Sequence, residues 1–327
     1  MLAAQASARV VYVLGRPAGP AGLGPVRLFR SDDGAIRFRA VATPAARSPV
    51  TGRPLTVSGL WFTGPADGYA LFGAWGERGP LMATGDGART WHRVTVGSAG
   101  FIAAVAGHGR LAYALVVACK PGLANCPRTL LYRSAAGSTT WTPVPAGGLA
   151  QLNASGGPSL AAWGRSVWVM AGNGEVPRPV LLSSADAGRS FRRTTVPAIG
   201  CWLAATSPAV AWLTCSGGMM LTFGRWASGR LARLPVTGAG TGNTVLAPVT
   251  GTAAYFGTGT GTAAGRLYLS RDGGATFARS GRLPASFRPG TPAHLMFLTI
   301  RSGLSWTDGG LLTRTSDGGA SWTTVRL

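Results

Sequence analysis

One eight-residue pattern recurs along the chain and constrains its fold more than any other feature. Ser270-Arg271-Asp272-Gly273-Gly274-Ala275-Thr276-Phe277 returns as Thr315-Ser316-Asp317-Gly318-Gly319-Ala320-Ser321-Trp322 and as Ser184-Ala185-Asp186-Ala187-Gly188-Arg189-Ser190-Phe191. Looser copies run from Ser31 to Phe38, with Asp33, and from Thr84 to Trp91, with Asp86. Ser134 to Trp141 keeps the frame but holds Ala136 where the aspartate belongs. Six copies in register mark a repeat architecture. The closing aromatics stand at 38, 91, 141, 191, 277 and 322, with gaps of 53, 50, 50, 86 and 45. The long gap holds a seventh, degenerate unit around Met219 to Thr222 and Leu231 to Pro235, in which Leu231 replaces the aromatic.

Seven units of about 47 residues match propeller blades of four short strands. The expected fold is all-β: a single seven-bladed propeller spanning 1–327, with repeats near 1–40, 41–97, 98–145, 146–197, 198–236, 237–281 and 282–327. Blade 2 sets the plan. Strand A is expected about Val57 to Thr63, B about Gly68 to Gly73, C about Pro80 to Thr84, and D about Thr90 to Val96. No window sustains a 3.6-residue apolar period, so helices should be few. The first unit has no clear strand A unless Leu2 to Ser7 supplies it, and the chain stops directly after the last strand D. Closure of the ring is the least determined part.

The pattern Ser/Thr-x-Asp-x-Gly-x-Ser/Thr-aromatic resembles the Asp-box of the BNR-repeat propellers, which include the sialidases. With strand-B text such as Gly68-Tyr69-Ala70-Leu71, it is also similar to the photosystem II assembly-factor-like propellers. The resemblance covers nearly the whole chain but is specific to the repeat, not to a partner. It implies that Asp33, Asp86, Asp186, Asp272 and Asp317 are structural turns of the C–D hairpins, on the face opposite the binding site. The chemistry agrees: aspartate accepts backbone N–H bonds, glycine permits positive φ, and the aromatic packs between sheets.

In propellers of this type the B–C and D–A connections share one face. The longest loops, Gly15 to Pro25, Val41 to Leu55 and Ala118 to Arg128, fall there. The candidate binding residues are Arg16, Arg47, Arg53, Arg78, Lys120, Arg128 and Arg178, with Arg282 and Arg288 in shorter loops. Glu77, Glu175 and Asp308 fall in B–C loops of blades 2, 4 and 7. They are the candidate catalytic acids if the chain is an enzyme. Arg37, Arg39, Arg93, Arg192, Arg193, Arg233, Arg279 and Arg326 are assigned to outer D strands, where charge guards exposed sheet edges.

With 31 basic against 10 acidic residues the formal charge is +21. A field this positive attracts anionic surfaces. Codon bias explains the excess of arginine over the single lysine, Lys120, but not the scarcity of acids. The expected partner is anionic: a protein, wall polymer or glycan, more than a small-molecule substrate. Sequence-specific nucleic-acid binding is not expected, nor is a metal or cofactor, and a monomer is expected.

Four cysteines form two local pairs. Cys119 and Cys126 flank the B–C connection of blade 3, and Cys201 and Cys215 lie symmetrically about Pro208. Opposite positions on an antiparallel pair are within disulfide reach. Four buried thiols are the alternative; zinc is disfavoured because the spacings are wrong and His92, His108 and His294 lie far apart in the repeat plan. Two disulfides imply an extracytoplasmic domain, secreted or at the cell envelope. Met1 to Ala8 lacks the basic region of a secretory peptide, and a misplaced start codon would reconcile the two. The hydrophobic window Phe101 to Cys119 is broken by Gly107-His108-Gly109-Arg110, so two strands are expected there, not a membrane helix.

Lesser motifs carry little. Gly257-Thr258-Gly259-Thr260-Gly261 lacks a following helix and reads as a B–C turn. Gly303-Leu304-Ser305-Trp306-Thr307 lacks the final glycine of a nucleophile elbow.

Two functions compete: a non-catalytic binding or assembly scaffold, and a sialidase-like glycoside hydrolase. The sialidase pattern needs a Phe/Tyr-Arg-Ile-Pro stretch, a Tyr–Glu nucleophile pair, an acid and an arginine triad. The nearest text to the first is Phe38-Arg39-Ala40-Val41, on an outer strand. Six tyrosines and two glutamates leave little material for the second. The scaffold is the preferred reading.

Overall fold

The computed structural model describes residues 1–16, 18–19, 22–23, 25–48, 51–73, 79–97, 100–118, 128–145, 149, 158–171, 179–197, 200–217, 220–239, 243–259, 265–284, 293–307 and 310–327. It is a seven-bladed β-propeller of four-stranded antiparallel sheets, with no helix among the described residues. Every blade is built from four strands of one continuous chain segment, A to D.

The chain divides into two compact units. In the first, Met1–Val41 with Ala209–Leu327, blade 1 has strands Leu2–Gln5, Val11–Gly15, Arg27–Ser31 and Arg39–Val41. Leu2–Gln5 is thus the missing strand A. A small hairpin, Ala18–Gly19 with Gly22–Leu23, sits in the B–C connection. Blade 5 contributes strands B to D, Val210–Gly217, Met220–Ala227 and Arg230–Ala239. Blade 6 has Asn243–Pro248, Ala254–Gly259, Arg266–Ser270 and Ala278–Arg282; blade 7 has Ala293–Phe297, Gly303–Thr307, Leu312–Thr315 and Thr323–Thr324. The first and last sheets share one core: Val11, Val13 and Ala35 of blade 1 pack with Leu298, Leu304, Trp306 and Leu312 of blade 7. Gln5 Nε2 also donates to Leu298 O at 3.5 Å. Apolar burial joins the two ends of the chain without an exchanged strand.

The second unit, Ala42–Pro208, holds blade 2 (Val57–Phe62, Gly68–Phe72, Leu81–Thr84, His92–Val94) and blade 3 (Phe101–His108, Leu111–Ala118, Arg128–Ala135, Thr142–Pro143). Blade 4 follows (Ser159–Trp163, Ser166–Ala171, Val180–Ser184, Arg192–Thr195), then strand A of blade 5, Cys201–Ser207. The hydrophobic window beginning at Phe101 is therefore two strands turning at Gly109–Arg110, where Gly109 has φ +72°. No helix of the described residues is long and apolar enough to cross a membrane.

Some expected boundaries move. Strands D of blades 1, 5 and 6 run past residues 40, 236 and 281, to Val41, Ala239 and Arg282. Arg37 lies in the hairpin before strand D, and Arg326 lies beyond the last strand. Gly257 to Gly259 are not a turn but the end of strand B of blade 6. The reason is packing: a Cβ at Gly257 would sit 3.0 Å from a Leu283 methyl, so glycine lets the sheet close on that leucine.

Strand B carries a large aromatic in most blades, and its polar tip ties adjacent blades. Tyr113 Oη donates to Gly164 O (3.1 Å), Trp212 Nε1 to Thr250 O (3.0 Å) and Tyr255 Oη to Ile300 O (2.6 Å). Each acceptor lies in the A–B turn of the next blade. These rings are almost fully buried, so each buries a large apolar body while its one polar group is satisfied.

Candidate functional site

Five aspartate hairpins share one geometry. In blade 4, Ser184 Oγ donates to Asp186 Oδ1 (2.8 Å) and accepts the N–H of Gly188 (2.9 Å). Ser190 closes the loop, donating its N–H to Oδ1 (3.0 Å) and its hydroxyl to Oδ2 (2.6 Å). The same bonds recur around Asp86, Asp272 and Asp317. Asp33 keeps the backbone bond from Arg37 (3.0 Å), but arginine has no hydroxyl for Oδ2. Hydroxyl and backbone donors hold the carboxyls of Asp86, Asp186, Asp272 and Asp317 far below the usual range. Asp33 is lowered chiefly by its bond from Arg37 N–H. The fourth and fifth residues of each hairpin have positive φ, and alanine takes one of these places at Ala35, Ala88 and Ala187 (65–69°). The hairpins are also tied to the A–B turns of their own blades: Gly34, Gly87, Ala136, Ala187, Gly273 and Gly318 donate N–H to Arg9, Ala66, Arg110, Arg165, Thr252 and Arg301 carbonyls.

The hairpin aromatic packs on the preceding blade. Phe191 lies against the core of blades 3 and 4, Phe277 against blades 5 and 6, and Phe38 against blades 7 and 1. Trp91 and Trp322 donate Nε1–H to Ala42 O and Arg282 O, each at 2.8 Å. In blade 5 the hairpin shrinks to Ser228-Gly229, both with positive φ (50° and 75°), the two-residue form that suits strand twist. Leu231 is the second residue of its strand D, and Leu234 fills the core beside Gly274.

With the aspartates occupied in turns, the described acids, though not the arginines, are confined to one end of the strands. Every described carboxylate side chain stands at an A–B turn or C–D hairpin: Asp32, Asp33, Asp272 and Asp317 in the first unit; Asp67, Asp86 and Asp186 in the second. At the opposite, B–C/D–A end, exposed arginines stand without acids among the described residues. In the second unit these are Arg47, Arg53 and Arg128. Arg47 and Arg53 share a compact turn: Arg47 pairs with Pro54 in an isolated bridge, Ser48 N donates to Arg53 O (2.9 Å), and Arg47 Nη1 donates to Gly52 O (3.0 Å). Arg128 opens strand C of blade 3, opposite Ala118. In the first unit Arg16 is exposed just after strand B of blade 1. Arg78, Lys120, Arg178 and Arg288 lie outside the described residues, as do Glu77, Glu175 and Asp308.

Both Cys201 and Cys215 are disulfide-bonded; Cys119 and Cys126 lie outside the described residues. Among the described residues no group of three or more His, Cys, Asp or Glu could hold a metal ion. One residue of this end escapes the charge-based reading. Trp202, second in strand A of blade 5, is 59% exposed, whereas its neighbour Cys201 is fully buried. Its only signal in the sequence is the alternation of a strand that begins with cysteine.

No protein-family model matches the chain, and no curated protein matches it. Solved structures with a similar fold include a YCF48 bound to D1 peptide, at 14% identity and a TM-score of 0.57, covering 96% of this chain and 91% of that one. YCF48 from Cyanidioschyzon merolae is 14% identical at a TM-score of 0.56, with 95% and 92% covered. Prolyl oligopeptidase B from Galerina marginata is 11% identical at a TM-score of 0.57, with 98% of this chain and 51% of that one covered. At these identities the likeness establishes the fold alone.

Proposed function

We propose that this protein is a non-enzymatic binding or assembly scaffold that takes an anionic partner on its B–C/D–A end, and that it works outside the cytoplasm. The placement of the acids carries the reading. The described ones stand at A–B turns and C–D hairpins, where arginines such as Arg89, Arg189 and Arg271 share the end with them. The exposed arginines of the other end have no described acidic side chain beside them. Arg47, Arg53 and Arg128 are the described contacts of the second unit, and Arg16 that of the first. The sequence assigns Lys120 to the loop of Arg128, and Arg78 and Arg178 to shorter loops of the same end. The bonds that Asp86, Asp186, Asp272 and Asp317 accept within their own hairpins support reading those aspartates as turn residues. That one YCF48 structure holds a D1 peptide supports a protein partner for this fold. The bonded Cys201 and Cys215 support an oxidising compartment.

Fluorescence anisotropy with a labelled deca-glutamate peptide and with long-chain polyphosphate tests this. Binding should weaken steeply with salt, since exposed charges are screened beyond about 8 Å at physiological ionic strength. Replacing Arg47, Arg53 and Arg128 together by serine should reduce it by at least tenfold. Replacing Arg192, Arg193 and Arg279 on outer strands should matter much less. Equal losses from both triples would show that only net charge is sensed. Release of sugar from a sialoside, abolished by Glu77→Gln or Glu175→Gln, would overturn the non-enzymatic reading.

A further inference from the structure

Arg266, the first residue of strand C in blade 6, and Arg282, the last residue of strand D, are direct cross-strand partners. Both are exposed. Side chains so placed have Cβ atoms about 4.5–5.5 Å apart, and like charges there repel. Among the described residues no carboxylate pairs with either guanidinium.

The same chain shows how such a pair is satisfied. In blade 1, Arg30 and Arg39 are also direct partners across strands C and D. There the carboxylate of Asp32 bridges them, with Oδ1 2.6 Å from Arg30 Nη2 and Oδ2 3.3 Å from Arg39 Nη2. Blade 6 repeats the two arginines without the acid, and at the other end of the strands. The blade 1 pair lies by the C–D hairpin; the blade 6 pair lies at the B–C/D–A end. Its backbone is fixed. Leu283 N donates to Gly265 O (2.9 Å), Arg282 N to Gly319 O (3.1 Å), and Trp322 Nε1 holds Arg282 O. A bulge between Leu267 and Tyr268 sets the register, and bulges commonly re-aim side chains at sheet rims.

We propose that Arg266 and Arg282 form a carboxylate clamp that takes an Asp, Glu or C-terminal carboxylate of a protein partner, in the place Asp32 fills in blade 1. The inference rests on the anionic-partner reading and names the partner's chemistry. Two exposed guanidiniums hold a free ion weakly. A peptide that brings a further carboxylate to Arg16, exposed at this end of the same unit, gains from the linkage. Planar guanidinium forks suit carboxylates better than a lysine point charge does.

The test uses the full chain and labelled deca-glutamate, with long-chain polyphosphate and inorganic phosphate as competitors at matched ionic strength. Arg266→Ser and Arg282→Ser should each weaken deca-glutamate binding by at least fivefold. The double variant should lose little more than either single one, because one ligand needs both forks. Arg282→Lys should recover less than half of the lost affinity on a logarithmic scale, and Arg192→Ser with Arg193→Ser should change it by less than twofold. Unchanged thermal midpoints would show that the variants fold. Polyphosphate binding that depends on Arg47, Arg53 and Arg128, with deca-glutamate indifferent to Arg266 and Arg282, would overturn the clamp and leave the anionic reading standing. Additive losses, or full rescue by lysine, would reduce the pair to net charge and also overturn it. No binding of either polyanion at low salt would remove both.

Discussion

The hydroxyl of Tyr69, on strand B of blade 2, accepts the backbone N–H of Gly137 at 3.0 Å, in the repeat hairpin that holds Ala136 in place of aspartate. It also donates to Ala135 O at 3.3 Å. The seventh-position N–H that aspartate accepts in the other hairpins goes here from Thr140 to Ser138 Oγ (3.1 Å). The tyrosine of the preceding blade takes instead the fourth-position N–H, which the aspartate hairpins give to an A–B turn carbonyl. Tyr69 is fully buried, and burial pushes its hydroxyl pKa up to about 12.

Tyr69→Phe should therefore destabilise the protein more than Tyr113→Phe. The first leaves a hairpin N–H without its acceptor, at a cost of about 1–3 kcal/mol; the second removes a single bond to a carbonyl, worth about 1 kcal/mol. Urea midpoints at unchanged slope would measure both. Equal effects would mean that the Gly137 N–H finds another partner and that Tyr69 is only a buried ring.

Acid should loosen the hairpins. The folded-state pKa of Asp186 lies below its ordinary value of 3.8, chiefly through the hydroxyl and N–H of Ser190. A lowered pKa contributes stability that is present above about pH 4 and is lost as pH falls toward the folded value. Asp186→Asn should lower the thermal midpoint at pH 7, and the difference from the natural protein should shrink between pH 4 and pH 2. A constant difference across that range would show that the carboxylate charge does not matter to the turn.

The repeat made most of the fold legible, because its residues are the ones that hold a hairpin: hydroxyl, aspartate, small residue, hydroxyl, aromatic. Blade 5 could be placed only by spacing, since its two-residue turn has no side-chain acceptor to leave a mark. Ring closure was hidden for a different reason. Leu2–Gln5 is a short strand without a motif, and what joins blade 1 to blade 7 is apolar packing of Val11 and Val13 on Leu304 and Trp306. At the binding end, the loops announced Arg47 and Arg53, but not that Arg47 helps hold its own turn. Arg266 could not be paired with Arg282 from spacing, because that register depends on a bulge.

Cysteine chemistry offers a check on strand pairing. Cys201 and Cys215 lie on strands A and B of blade 5, neighbours in the sheet order. A non-reducing digest should return a peptide pair joining these two. Closing a loop of this length is worth about 3 kcal/mol, so reduction should lower the unfolding free energy by an amount of that order. A link from either to Cys119 or Cys126 would break the strand assignment, since those belong to blade 3.

Trp202 should be an interface residue that contributes almost nothing to folding. It is 59% exposed, while Trp168 and Trp212 are 1% exposed. As the second residue of strand A it stands at the B–C/D–A end of the same unit as Arg47, Arg53 and Arg128. An exposed ring makes few contacts to lose, so Trp202→Ala should shift stability by no more than about 0.5 kcal/mol. At interfaces, by contrast, tryptophan is over-represented among the residues whose truncation costs about 2 kcal/mol or more. Hydroxyl-radical footprinting separates the two roles. Trp202 should be oxidised much faster than Trp168 or Trp212 in the free protein, and several-fold more slowly with deca-glutamate bound. Protection that disappears in the Arg47, Arg53 and Arg128 triple-serine variant would tie ring and arginines to one footprint. Oxidation of Trp202 at the same rate with and without the bound peptide would place the ring outside it and confine the site to the arginines.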